Sequence, residues 1–146
     1  MPTDPPAVNL DGATALHALI YTSTARRLFS DAMLRELLEQ ARTRNARLGI
    51  TGCLLYYDGS FMQYLEGPRE GVQAVFASIQ RDPRHHQVGL LHQGPIERRE
   101  FADWWMAAGK VSRVQWDGLA RQDADGPEHL GRQMLLSFVQ SNARFG

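Results

Sequence analysis

The chain has one cysteine, Cys53, and no apolar run near the roughly 18 to 20 residues that a bilayer span needs. A lone cysteine excludes an internal disulfide and fits a reducing compartment. Charge of one sign is missing too. Sixteen basic residues balance sixteen acidic ones, for a formal net charge of zero, which argues against a generic nucleic-acid binder. No glycine-rich phosphate loop of the common types occurs, and no His-Glu-x-x-His or Cys-x-x-Cys metal spacing. His85 and His86 are adjacent, a spacing that suits a metal pair on neither a helix nor a strand, so no metal is expected. The N-terminus, MPTDPPAVNLDGAT, lacks the basic start and apolar core of a signal peptide. These absences leave a cytoplasmic protein as the expectation, with neither nucleic acid nor membrane as a direct partner. The 146 residues, 43% hydrophobic and 22% charged, suit one globular domain. A chain of that length buries about 70% of its extended surface.

What is present centres on residues 42–68, RTRNARLGITGCLLYYDGSFMQYLEGP. It reads as a helix end, a stop at Gly49, a strand, a two-residue turn and a second strand. Asp58-Gly59 between two apolar runs is a short hairpin signal, because both central residues need positive φ. Two amides stand where apolar residues would be expected. Asn45 continues the helical stripe Leu34, Leu38, Ala41 at spacings of four, three and four. Gln63 alternates with Phe61 and Leu65, so all three share one face of a strand. A polar group on a buried face needs a partner, and two primary amides suit a ligand that offers both donors and acceptors.

Along the chain, residues 1–13 read as a loose leader and residues 15–23 as a first, centrally buried strand. Ser30 or Asp31 caps a helix to about Leu48. The hairpin strands cover about 50–57 and 60–66. Pro68 opens a second helix with the stripe Val72, Val75, Phe76 and Ile79, stopped at Asp82-Pro83. A fourth strand covers 87–92, a charged loop 95–103, and a weak fifth strand 105–112. The order is β-α-β-β-α-β-β, an α+β, ferredoxin-like arrangement with a five-stranded mixed sheet and two helices on one face. That topology sets the first strand beside the third, and so Tyr21 near Gln63. Residues 113–126 are polar and read as a linker. Pro127 opens a terminal amphipathic helix with Leu130, Met134, Leu135, Phe138 and Val139. The expected division is a leader (1–13), a folded domain (14–112) and a C-terminal linker and helix (113–146).

The ordered set of fragments resembles the BLUF family, blue-light sensors that use FAD. The fragments are Ile20-Tyr21-Thr22-Ser23, Arg44-Asn45, Gly49-Ile50-Thr51-Gly52, Phe61 to Pro68, Asp82-Pro83-Arg84-His85, Pro95-Ile96, Arg99, Phe101 and Trp104-Trp105-Met106. Together they cover residues 15–112. The resemblance implies FAD held non-covalently between the two helices, with FMN or riboflavin as smaller alternatives. It implies Tyr21 as electron donor to the excited flavin and Gln63 as the amide between the phenol and the flavin N5/O4 edge. Asn45 would pair with O4 and N3–H. Arg44, Arg84 and His85 would contact the ring or its polar tail. Trp104 and Met106 would belong to a switch region on the fifth strand. Trp104 and Trp105 are neighbours that alternate faces, and the family spacing Trp-x-Met selects Trp104. The expected function is a blue-light photoreceptor and not an enzyme. With no further domain within the chain, it would signal through a separate protein partner or a change of homo-oligomer.

Without the resemblance, each residue has a plainer reading. Tyr21 is a packing tyrosine, Asn45 a helix cap, Gln63 a polar residue on a strand edge, Cys53 a small core residue, and the tryptophans core or interface aromatics. Two other function classes stand beside the sensor. One is a small ferredoxin-like acyl-phosphate hydrolase. The other is a regulatory ligand-binding module without photochemistry. Both predict a protein without the reversible spectral change that blue light produces in a sensor.

Overall fold

The computed structural model describes residues 15–121, 126–141 and 143–145; the expected leader at 1–13 lies outside them. Ten elements follow in order: β1 (Leu16–Ala25), α1 (Asp31–Leu48), β2 (Thr51–Tyr57), β3 (Ser60–Pro68), α2 (Arg69–Arg81), β4 (His85–Ile96), β5 (Ala107–Lys110), α3 (Arg113–Ala120), α4 (Pro127–Gln140) and β6 (Ala143–Phe145). The strands form one mixed sheet in the order β4-β1-β3-β2-β5-β6.

Local chemistry fixes the element ends. The Ser30 hydroxyl accepts from the Met33 amide, which caps α1. Gly49 at φ 72° closes the same helix, its amide donating to the Asn45 carbonyl. Asp58 and Gly59 take φ of 44° and 84°, the doubly positive pair that a tight hairpin between β2 and β3 requires. In β1, Ala18 and Ile20 face one layer of the core while Leu19 and Tyr21 face the other. The strand is buried on both faces, as its composition predicted.

Three expectations need correcting. The sheet has six strands rather than five, because Ala143–Phe145 pairs antiparallel with β5. Three residues are too few to show an alternating pattern. Residues 113–126 are not only linker, since α3 occupies Arg113–Ala120. Its capping box was legible: the Ser112 hydroxyl accepts from the Gln115 amide while the Gln115 side chain accepts from the Ser112 amide. Pro68 ends β3 and caps α2 from outside rather than sitting in its first turn.

The result is three layers. Helices α1 and α2 cover one face of the sheet through Leu34, Leu38, Val72, Val75 and Ile79. Leu119 of α3 with Leu130, Met134 and Phe138 of α4 covers the other, over Cys53, Leu55, Met62 and Tyr64. The terminal helix therefore docks on its own sheet. Among the described residues, no helix is long and apolar enough to cross a membrane.

Candidate functional site

Tyr21 and Gln63 are directly paired across the β1–β3 ladder. Cross-strand partners point to the same face, so the phenol and the amide meet beneath α1 and α2. The Tyr21 hydroxyl donates to Gln63 Oε1. At its other end the Gln63 amide nitrogen donates to Met106 Sδ at 3.5 Å. Both ends of the amide are thus engaged inside the core, where Gln63 is only 4% exposed.

Tyr21 and Gln63 floor a cavity of about 230 Å³. Leu37, Gln40, Ala41 and Arg44 of α1 form one wall, Ser78 and Ile79 of α2 the other, and Tyr21, Leu54, Phe61 and Gln63 the sheet side. Asp82 and Arg84 stand beside them. The Arg84 guanidinium holds Asp82 at 2.6 Å and donates to Gln40 Oε1 at 3.0 Å. The cavity is apolar with a few convergent polar groups, the usual make-up of a small-molecule site, although smaller than the common range of about 300 to 1,000 Å³.

Asn45 is fully buried and follows Arg44 in α1, but does not itself line the cavity. Its Nδ2 donates to the Trp105 carbonyl at 2.8 Å, and its Oδ1 accepts from Arg44 at 3.3 Å. Burial pushes the Tyr21 phenol above its ordinary range, and the nearby Arg44 charge only partly opposes that. The same burial lowers Arg44. Tyr21 is therefore a neutral phenol with its proton directed at an amide oxygen.

The predicted residues separate into three groups. Tyr21, Gln63, Arg44 and Arg84 meet at the cavity, with Asn45 just behind. Met106 is 1% exposed and touches the Gln63 amide, whereas Trp104 is 40% exposed and packs edge-on against Phe138 of α4. His85 opens β4, opposite Ala25, and its side chain lies outside the described set. Cys53 is buried in the opposite layer, and burial raises its thiol, so it is a core residue.

Sequence reasoning missed two residues. Arg42 donates to the Met106 carbonyl through Nε at 3.1 Å and through a terminal nitrogen at 2.9 Å. Its signal was the i, i+3 relation to Asn45 on one helix face. Glu66 is a fully buried carboxylate on the opposite face of β3. It accepts from the Thr51 hydroxyl at 2.8 Å and from the Glu100 and Phe101 amides at 2.7 Å each. Its position among apolar residues was the signal, since a buried charge needs such partners.

Residues 16–107 match the family model described as "BLUF: Sensors of blue-light using FAD". Over 104 residues the chain is 38% identical to the photoactivated adenylate cyclase subunit beta of Euglena longa, a match covering 70% of this chain and 12% of that protein. The chain thus spans about an eighth of the length of that relative. Among solved structures, "BlrB - a BLUF protein, dark state structure" superposes with a TM-score of 0.70 at 35% identity, covering 86% of this chain and 96% of that one. "BlsA photo-activated state" gives a TM-score of 0.72 at 26% identity, covering 83% and 95%. The extent of the family match and the identity to the solved BlrB chain together place this chain in the BLUF family of blue-light sensors.

Proposed function

We propose that the protein is a blue-light photoreceptor that holds FAD non-covalently between α1 and α2 and signals by rearranging the hydrogen bonds of Gln63. The observation that carries this reading is the chain Tyr21 hydroxyl, Gln63 amide, Met106 thioether, buried beside a two-helix cavity. The donor set fits the group. Two primary amides, a phenol and guanidinium groups face or flank one apolar slot, as a ring with an alternating donor and acceptor edge requires. When bound, the flavin supplies the light absorption and the electron-accepting excited state.

The chain's own residues do the rest. Tyr21 is the electron and proton donor, since its hydroxyl already bonds an acceptor. Gln63 is the relay, because its amide has a donor and an acceptor end and can exchange them. In the present arrangement its oxygen serves Tyr21 and its nitrogen serves Met106. Reversing the amide would present its nitrogen to the phenol and its oxygen to the sulfur, which removes the donor from Met106. Asn45 and Arg44 orient the polar edge of the ring, and Arg84 lies at the mouth, beside Asp82, where a polar tail would leave. No covalent bond to the protein is needed, which agrees with Cys53 lying in the other layer. The chain acts as a sensor module rather than as an enzyme, and its output passes to a partner protein or to a change in homo-oligomer.

The test is spectroscopic. Purified protein is expected to be yellow and to show a reversible red shift of flavin absorption in blue light. Tyr21→Phe is expected to keep the flavin and lose the shift. A Tyr21→Phe protein with an intact shift would refute the assignment, and a colourless wild-type protein would refute the reading as a whole.

A further inference from the structure

Three consecutive carbonyls precede β5, and each is taken by a different residue, one in β2 and two in α1. The Trp104 carbonyl accepts from the Gly52 amide of β2 at 3.2 Å. The Trp105 carbonyl accepts from Asn45, and the Met106 carbonyl accepts twice from Arg42. Side chains three residues apart on one face of α1 therefore hold the segment that carries the Met106 thioether. The same terminal nitrogen of Arg42 donates to the Phe145 carbonyl of β6 at 2.9 Å. One guanidinium thus joins α1, the residue touching the Gln63 amide, and the last strand of the sheet. Hydrogen bonds from a charged donor are stronger than neutral ones, and the planar fork fixes two directions at once.

We infer that Arg42 is a positioning residue. It holds Met106 against the Gln63 amide and ties that contact to the seating of β6. The inference rests on the proposed role of Gln63 only for its photochemical arm. Arg42 does not line the flavin cavity; it acts through the Met106 backbone. A shift of the 106 carbonyl when the Gln63 amide reverses would strain the bond to Phe145, so the state of the amide reaches β6 through one side chain. Phe145 is buried in the layer that holds Tyr21 and Met106. Loosening β6 would therefore loosen Met106 in return, as reciprocal coupling demands.

The test compares wild type with Arg42→Leu and Arg42→Lys. Lysine keeps the charge but cannot make a forked pair of bonds. The first readout is the methionine methyl NMR spectrum of the dark protein, which needs no flavin. The Met106 methyl resonance is expected to move in both variants, while those of Met62 and Met134, in the opposite layer, stay in place. The β6 amides are expected to exchange faster, and Phe145→Ala is expected to move the Met106 resonance in the same direction. The second readout is dark recovery in flavin-loaded protein. Loss of a charge-assisted bond is expected to change its rate by roughly tenfold with the light-induced shift still present. A folded Arg42→Leu protein with an unmoved Met106 resonance would overturn the inference, as would an unchanged recovery rate. If Arg42→Leu fails to fold, Arg42→Lys carries both readouts. Wild-type protein without flavin would sink the photoreceptor reading, and the methyl spectrum would still decide the role of Arg42.

Discussion

Gln63 is costly to bury and has no packing advantage over leucine, so its presence on an apolar strand face asks for a use. Leu65 and Phe61 beside it are ordinary core residues, and Met106 supplies only a weak sulfur acceptor. Replacing Gln63 with leucine leaves the Tyr21 hydroxyl without its acceptor. An unsatisfied buried hydroxyl costs about 1 to 3 kcal/mol, partly offset by better apolar packing. Gln63→Leu is therefore expected to fold, to keep flavin and to lose the light-induced shift, as a difference spectrum would check. Trp104 and Met106 make a second contrast. Met106→Ala removes the group on the amide, whereas Trp104→Ala removes an exposed edge contact with Phe138. Dark recovery is expected to change more in the first variant than in the second; the opposite order would mean that the tryptophan, not the methionine, governs the amide.

Gly131 lies in the middle of α4, where alanine ordinarily strengthens a helix by up to about 1 kcal/mol. Here a Cβ would sit 2.5 Å from the Tyr64 ring, itself buried between α4 and β3. Gly131→Ala is therefore expected to destabilise the protein by about 1 to 3 kcal/mol, read as a lower unfolding midpoint in denaturant. Glu66 ties β3 to β2 and to residues 100–101. Burial raises its carboxyl above the ordinary range, against the pull of its amide donors and Arg99. A carboxyl with a raised folded-state pKa favours folding while protonated, so its contribution is present at acid pH and is lost as pH rises through the folded value. Glu66→Gln is expected to flatten that part of the stability curve, which denaturant titrations from about pH 4 upward would show. The elements themselves were mostly legible. The Ser30 cap, the Gly49 stop, the Asp58-Gly59 turn and the stripes of α1 and α2 are local signals, and they formed where the residues predicted; the α4 stripe formed through Leu130, Met134 and Phe138, while Val139, expected in it, faces solvent. What stayed hidden depends on distant partners. β4 runs to Ile96 because β1 offers a ladder along its whole length. β6 exists because β5 leaves an edge to pair. The Tyr21–Gln63 contact was predictable from strand order, while the helix face marks Arg42 but not its partner Met106, which is 64 residues away.

At the scale of the molecule, the cavity and α4 lie on opposite faces of one sheet, so the signal proposed to start at Gln63 would have to cross it. The strands between are close-packed and do not deform smoothly. The segment 99–106 offers a way around. Met106 touches Gln63 on one face, while Phe101 packs on Tyr64 and Trp104 packs on Phe138 on the other. Glu66 and Arg99 pin the start of that segment, and Arg42 and Asn45 pin its end. The proposed amide reversal, by releasing Met106, would therefore act on a strap whose outer side supports α4. Leu136 and Val139 of α4 face solvent, which gives a displaced helix an apolar surface for a second copy or another protein. A bias of a few kcal/mol between two seatings of the strap is enough to exchange the major and minor populations. Illumination is expected to raise amide hydrogen exchange in residues 104–110 and 127–140 while α1 keeps its protection. Equal protection of those segments in dark and light would exclude the strap as the output route, because a population shift large enough to signal must open the bonds that hold it.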